Sequence, residues 1–244
     1  MNMKEVFQKY AAVVFFDTET TGLDAYADQI IELAAIRVER DPSGKPYIAD
    51  AADLFVKLPE GQKIPEKIVE LTGITDAKLE AEGEPEAVAA KAFSYMIRDD
   101  NGPVLLVAHN AQFDIQFVRS MLWNHPGRGE QLLESADYLD SLTVYKDRRP
   151  YPHKLANAIK AYKLEDKVQN SHRAIDDVAA LFEVVKAMDN ERADLLTYVN
   201  IFGYNPKYGV SGHRIDGVTY WPQQFNNYMQ APNYTLPARV KRHR

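Results

Sequence analysis

The run Val13-Val14-Phe15-Phe16 is apolar at every position and is followed at once by Asp17-Thr18-Glu19. A strand that alternates polar and apolar residues can lie on a surface, but one that is apolar throughout must be covered on both faces. The chain is therefore expected to build a sheet with packing layers above and below it. Side chains alternate along a strand, so Asp17 and Glu19 leave its end on the same side. Thr20-Thr21-Gly22 then breaks the pattern, and the glycine permits a tight turn whose backbone N–H groups are free for a phosphate or nucleotide. Taken alone, the two acids could simply solvate a strand end.

Two distant stretches add to them. After the apolar run Val104–Ala108 comes His109-Asn110-Ala111-Gln112-Phe113-Asp114, with Asn110 placed to N-cap a helix whose stripe includes Phe113, Phe117, Val118 and Met121. Asp114 shares that stripe, and a buried carboxylate needs a partner. A first-turn acid favoured by the helix dipole is the alternative. In His172-Arg173-Ala174-Ile175-Asp176-Asp177, helical spacing puts Ala174, Val178, Leu181, Phe182, Val185 and Met188 on one stripe. Asp177 falls at its edge and is expected to face inward, whereas Asp176 faces water. His172 lies five residues before Asp177, in a loop or first half-turn. Four acids and one histidine converging on one point suit divalent metal and a base for water, hence metal-dependent cleavage of phosphodiester bonds.

The coarse order is β-β-β-α-α-β-α-β-α-α. Strands are predicted near 12–17, 28–38, 48–57, 103–108 and 137–140, and helices near 65–71, 85–98, 112–124, 153–162 and 173–189. A meander followed by alternating strands and helices favours an α/β fold, with a mixed central sheet of about five strands flanked by helices.

The three motifs, Asp17-x-Glu19, the segment ending in Asp114, and His172 with Asp177, resemble those of the DEDDh (DnaQ-like) 3′→5′ exonucleases. The resemblance covers about residues 10–190 and includes Ile30-Ile31-Glu32-Leu33 and Leu71-Thr72-Gly73-Ile74-Thr75. It implies a ribonuclease H-like three-layer fold over residues 1–190, with 191–244 as a C-terminal extension. It also implies metal ligands Asp17, Glu19, Asp114 and Asp177 for two Mg²⁺ or Mn²⁺ ions, and His172 as the base that deprotonates the attacking water. Substrate contacts are implied at Thr18, Thr20, Thr21, Gly22, Leu23, Ile74, His109, Asn110 and Phe113, though Leu23, Ile74 and Phe113 could equally be core.

The implied activity is removal of nucleoside 5′-monophosphates from single-stranded or frayed 3′ ends of DNA, in proofreading or repair. RNA trimming is one alternative. The other is a nucleic-acid-binding module with weak catalysis, with a DNA polymerase as partner.

The net charge of −6 looks wrong for a nucleic-acid partner. Setting aside the four proposed ligands brings it to −2, which implies local grip on a few nucleotides without a long electrostatic track. Zero cysteines exclude disulfides and thiolate metal sites. No apolar run approaches a membrane span and the N-terminus lacks a signal-peptide pattern, so a cytoplasmic chain with no membrane partner is expected. The segment 191–244 holds nine aromatics and four prolines and ends in Arg239-Val240-Lys241-Arg242-His243-Arg244. Most of these aromatics are expected to pack on the catalytic domain, with base stacking as the alternative.

Overall fold

The computed structural model of the chain describes residues 3–168 and 173–223. A short helix α1 (Lys4–Lys9) leads into a meander of β1 (Ala12–Thr20), β2 (Ile30–Arg40) and β3 (Pro46–Phe55). Three helices follow, α2 (Glu66–Thr72), α3 (Asp76–Glu82) and α4 (Glu86–Met96). Next come β4 (Val104–Ala108), α5 (Ala111–Asn124), α6 (Arg128–Ser135), β5 (Asp137–Asp140), α7 (Ser141–Arg148), α8 (Leu155–Ala161) and the long α9 (Ala174–Glu191). A 3₁₀ turn (Leu195–Tyr198) precedes β6 (Ile201–Tyr204) and β7 (Thr219–Pro222).

The five-stranded sheet has the order β3-β2-β1-β4-β5, antiparallel in the meander and parallel across β1-β4-β5. The central strand is covered on both sides, as its apolar run requires. Val13 and Phe15 belong to one core with Val178, Leu181 and Val185 of α9. Val14 and Phe16 belong to the other with Phe93 of α4 and Phe117, Val118 and Met121 of α5. Phe15 meets Phe182 edge-on at 5.1 Å, while Phe16 meets Phe93 at 5.3 Å. These two layers put α9 and α5 on opposite faces of β1, and both helices begin at the edge where β1 ends.

The extension begins inside this fold. Leu195 and Tyr198 enter the first core, and Phe202 and Ile215 the second. Asn200, in left-handed backbone (φ 58°), pairs with the end of β5: its N–H donates to Tyr138 O and its Oδ1 accepts from Tyr138 N. Tyr198, Phe202 and Trp221 are buried and Tyr208 is exposed, while Phe225, Tyr228, Tyr234 and the basic end lie outside the described residues. Among the described residues no helix is long and apolar enough to cross a membrane.

The predicted strands and long helices are present. Helices α1, α3, α6 and α7 were not anticipated. Each is only six to eight residues long, too short for a helical period to stand out.

Candidate active site

Carboxylates from Asp17, Glu19 and Asp177 approach so closely that one oxygen of each lies within 4.8 Å of the others. Asp17 and Glu19 come off β1 on the α9 side, and Asp177 sits in the first turn of α9 with its side chain buried. Asp176 is half-buried and contributes to the charge around Arg173, so it is less exposed than its phase suggests.

Asp114 arrives from the other layer. It is 3 % exposed, and its Oδ1 accepts hydrogen bonds from Thr18 N at 3.0 Å and Thr18 Oγ1 at 2.8 Å. Thr18 points to the α5 face because its neighbours point to the α9 face. One residue thus ties the fourth carboxylate to the strand that carries the first two. The register of β1 on β2 slips between Glu19 and Thr20, a bulge at the point where the strand must release its acids.

Four acids gathered at one point, Asp114 and Asp177 buried and Asp17 and Glu19 half-buried, oppose one another's ionisation. Asp17 is held well above the ordinary carboxylate range, by burial first and then by the charges of Asp114, Asp177, Glu19 and Glu32. Burial, with Asp177, Glu32 and Asp114, pushes Glu19 up to about 8. Burial raises Asp114 to about 7 against the lowering hydrogen bonds from Thr18. The named charged neighbours of Asp17 and Glu19 are all carboxylates. A divalent cation would relieve that repulsion, and a donor set made only of carboxylate oxygens suits a hard one.

Glu32, seen in the sequence only as part of a strand, carries a structural role in the site. It is wholly buried and lies directly opposite Glu19 in the ladder. Its Oε1 accepts from Arg173 Nε at 2.8 Å and forms an ion pair with Nη2 at the same distance, and its Oε2 accepts from Ala174 N at 3.1 Å. The pair therefore caps α9 at its N-terminus and fixes the turn that presents Asp177. Arg173 also lies over the Phe55 ring at 4.8 Å. Removing one partner of such a buried pair typically costs about 3–5 kcal/mol. The available signal was an acid inside the apolar run Ile31-Glu32-Leu33, where a charge must find a partner.

Asp140 was likewise missed. Asn110 stands at the N-cap of α5 as expected, but in left-handed backbone (φ 75°) and with no capping bond from its side chain. The cap comes from Asp140, whose Oδ1 accepts from Asn110 N at 2.9 Å and Ala111 N at 3.2 Å. The same carboxylate caps α7 through Leu142 N and Thr143 N, so one side chain starts both helices.

The proposed substrate residues fall into two groups. Thr18 is buried against Asp114, and Thr20 is buried with its hydroxyl on Gly22 O at 2.6 Å. Ile74 is wholly buried with Ile31, Ile64 and Leu79, the core role left open for it. His109 has Ser141 Oγ on Nδ1 and donates from Nε2 to His153 O, both at 2.9 Å. Burial holds its pKa below the ordinary histidine range. Both ring nitrogens are thus engaged in holding β4, α7 and the loop before α8 together.

Leu23 is 87 % exposed, Asn110 is exposed, and Gly22 and Thr21 are partly open. Phe113 is half-buried beside Phe117 at 4.8 Å. Gly22 does not adopt left-handed backbone as a tight-turn glycine would. A Cβ there would lie 2.3 Å from the Asp28 carboxylate, so a side chain would displace Asp28 from its bond to Asp24 N. His172 lies outside the described residues.

A mixed sheet with clustered carboxylates at the end of its central strand, met by helices from both layers, defines a nuclease domain of the ribonuclease H-like superfamily. Residues 14–185 match the family model RNase_T, Exonuclease, and the chain belongs to that family, among the DEDDh exonucleases. It is 30% identical over 195 residues to DNA polymerase III PolC-type of Clostridium perfringens, covering 80% of this chain and 12% of the polymerase. The enzyme of the same name from Halalkalibacterium halodurans is 33% identical over 192 residues, covering 75% and 12%. The chain thus spans about an eighth of the length of these relatives. A crystal structure of E. coli exonuclease I in complex with a dA16 oligonucleotide has the same fold, with TM-score 0.62 and 22% identity over 77% of this chain and 42% of that one.

Proposed function

We propose that the chain removes nucleotides one at a time from the 3′ end of DNA and releases nucleoside 5′-monophosphates. The observation that carries this reading is the convergence of Asp17, Glu19 and Asp177 beside Asp114 in an exonuclease family member. Two divalent ions, Mg²⁺ or Mn²⁺, bound by these four residues would supply Lewis acidity toward the scissile phosphate and lower the pKa of a coordinated water. The carboxylates hold the charge, and their placement from both layers fixes where the phosphate must lie. His172, adjacent in sequence to the clamped Arg173, takes the proton from the attacking water. The turn from Thr20 to Gly22 receives the terminal nucleotide, with Leu23 and Phe113 packing on its base and sugar. The names of the PolC-type relatives point to a replicative setting, proofreading or repair, with a DNA polymerase as partner.

Linear and circular single-stranded DNA of one sequence, together with a linear strand blocked by a 3′-phosphorothioate, test the direction of attack. The linear strand is expected to yield mononucleotides while the circle stays intact and the blocked strand is degraded slowly. Ready cutting of the circle, or early internal fragments from the blocked strand, would leave an endonuclease instead.

His172→Ala is expected to lower turnover by about 10²–10⁴-fold with metal affinity, read by calorimetry, largely retained. Wild-type turnover in that variant would make the histidine structural.

A further inference from the structure

The family match ends at residue 185, yet the chain continues into a segment seated at the catalytic edge of the sheet. The loop between β6 and β7 is held on the first turns of α5, on the side of that helix away from Asp114. Gln112 Nε2 donates to Ser211 O at 3.1 Å and also to His213 O, and Gln116 Oε1 accepts from His213 N at 2.9 Å. Tyr220 OH donates to Gln112 Oε1 at 2.6 Å and secures the same residue from the β7 side.

This anchoring sets the exposed His213 edge-to-face against Tyr26, with ring centroids 5.0 Å apart and planes at 81°. Tyr26 is 71 % exposed and belongs to the connection that follows β1 after Thr20 and carries the exposed Leu23. The exposed Arg214 follows His213, its guanidinium 4.6 Å from the Tyr220 ring centroid. An exposed aromatic pair, one partner of which is anchored through its backbone to α5, with a cation beside it and the carboxylates at the end of the same strand, has the properties of a base-stacking platform.

We propose that Tyr26 and His213, with Arg214 beside them, receive the bases and phosphates of single-stranded DNA upstream of the terminal nucleotide. The proposal rests on the exonuclease reading above. It joins Tyr26, within the matched family segment, to His213 and Arg214 from outside it.

The full-length chain carrying Asp177→Asn, to prevent turnover, can be titrated with fluorescent decathymidylate and with the thymidine dinucleotide. The parent is expected to bind the ten-mer more tightly than the dinucleotide. Tyr26→Ala and His213→Ala should each reduce that ratio by about 5-fold or more, and Tyr26→Phe should keep it. Tyr47→Ala is the control: Tyr47 is exposed on β3 and pairs with Glu39, at the far end of β2 from the site. Alanine variants that keep the parent's ratio overturn this inference alone, as does a parent with no preference for the longer strand. An unsubstituted chain, with Asp177 intact, that fails to degrade linear single strands in the direction assay overturns the reading beneath it as well.

Discussion

Asp177→Asn is expected to lower turnover by at least about 10²–10³-fold, whereas Asp176→Asn should keep most of it. The two residues are neighbours in the first turn of α9, so helix propensity and dipole effects are nearly the same for both. They differ in direction. Asp177 is buried with an oxygen within 4.8 Å of oxygens from Asp17 and Glu19, while Asp176 is half-buried and acts on Arg173. Neutralising Asp176 weakens a partly solvated interaction at the helix start, a loss of about 0.5 kcal/mol in stability. Steady-state rates on a single-stranded substrate, with melting curves for both variants, decide the matter. Equal losses of turnover in two well-folded proteins would mean that the phase of α9 is misassigned.

The metal-free protein should be least stable where its own site is most charged. Glu19 ionises near 8 in the fold against about 4.5 in an unfolded chain, and Asp17 and Asp114 are raised in the same direction. Between those values the folded state holds protons that the unfolded state has released. The contribution is therefore fully present below about pH 4.5 and is lost as pH rises through about 8. With chelator, the melting temperature should fall from pH 6 to pH 8.5, and Glu19→Gln should flatten that fall.

Excess Mg²⁺ or Mn²⁺ at pH 8 should raise the melting temperature by about 5–10 °C, from roughly 2.7 kcal/mol at a hundredfold excess over Kd and about 2–4 °C per kcal/mol. The rise should be smaller at pH 6, where protons already neutralise the site. Exhaustive chelation should abolish hydrolysis. Activity that survives it, or a melting temperature indifferent to metal at pH 8, rules out this chemistry.

The architecture was legible where it depends on local pattern. Val13–Phe16 demanded cover on both faces and has it. The stripe from Ala174 to Met188 fixed the phase that turns Asp177 inward, and the position of Asp114 among apolar neighbours required a partner that Thr18 supplies. Those features follow from periods of two and 3.6 residues, which a sequence displays directly. The close approach of Asp28 to Gly22 leaves no mark in the sequence around the glycine itself.

The sequence by itself determined the succession of strands and helices after an opening meander, the acids that stand at a strand end and at helix starts, and the chemistry those acids permit. Only the tertiary structure decided what holds them. Glu32 and Arg173 are 141 residues apart, Asp140 caps a helix that begins 29 residues before it, and His213 meets Tyr26 only after the extension has folded back across α5. A buried charge announces that it needs a partner, but the partner's identity depends on which segments the packing of the two cores brings together. That is a property of the whole chain's burial, and no local period encodes it.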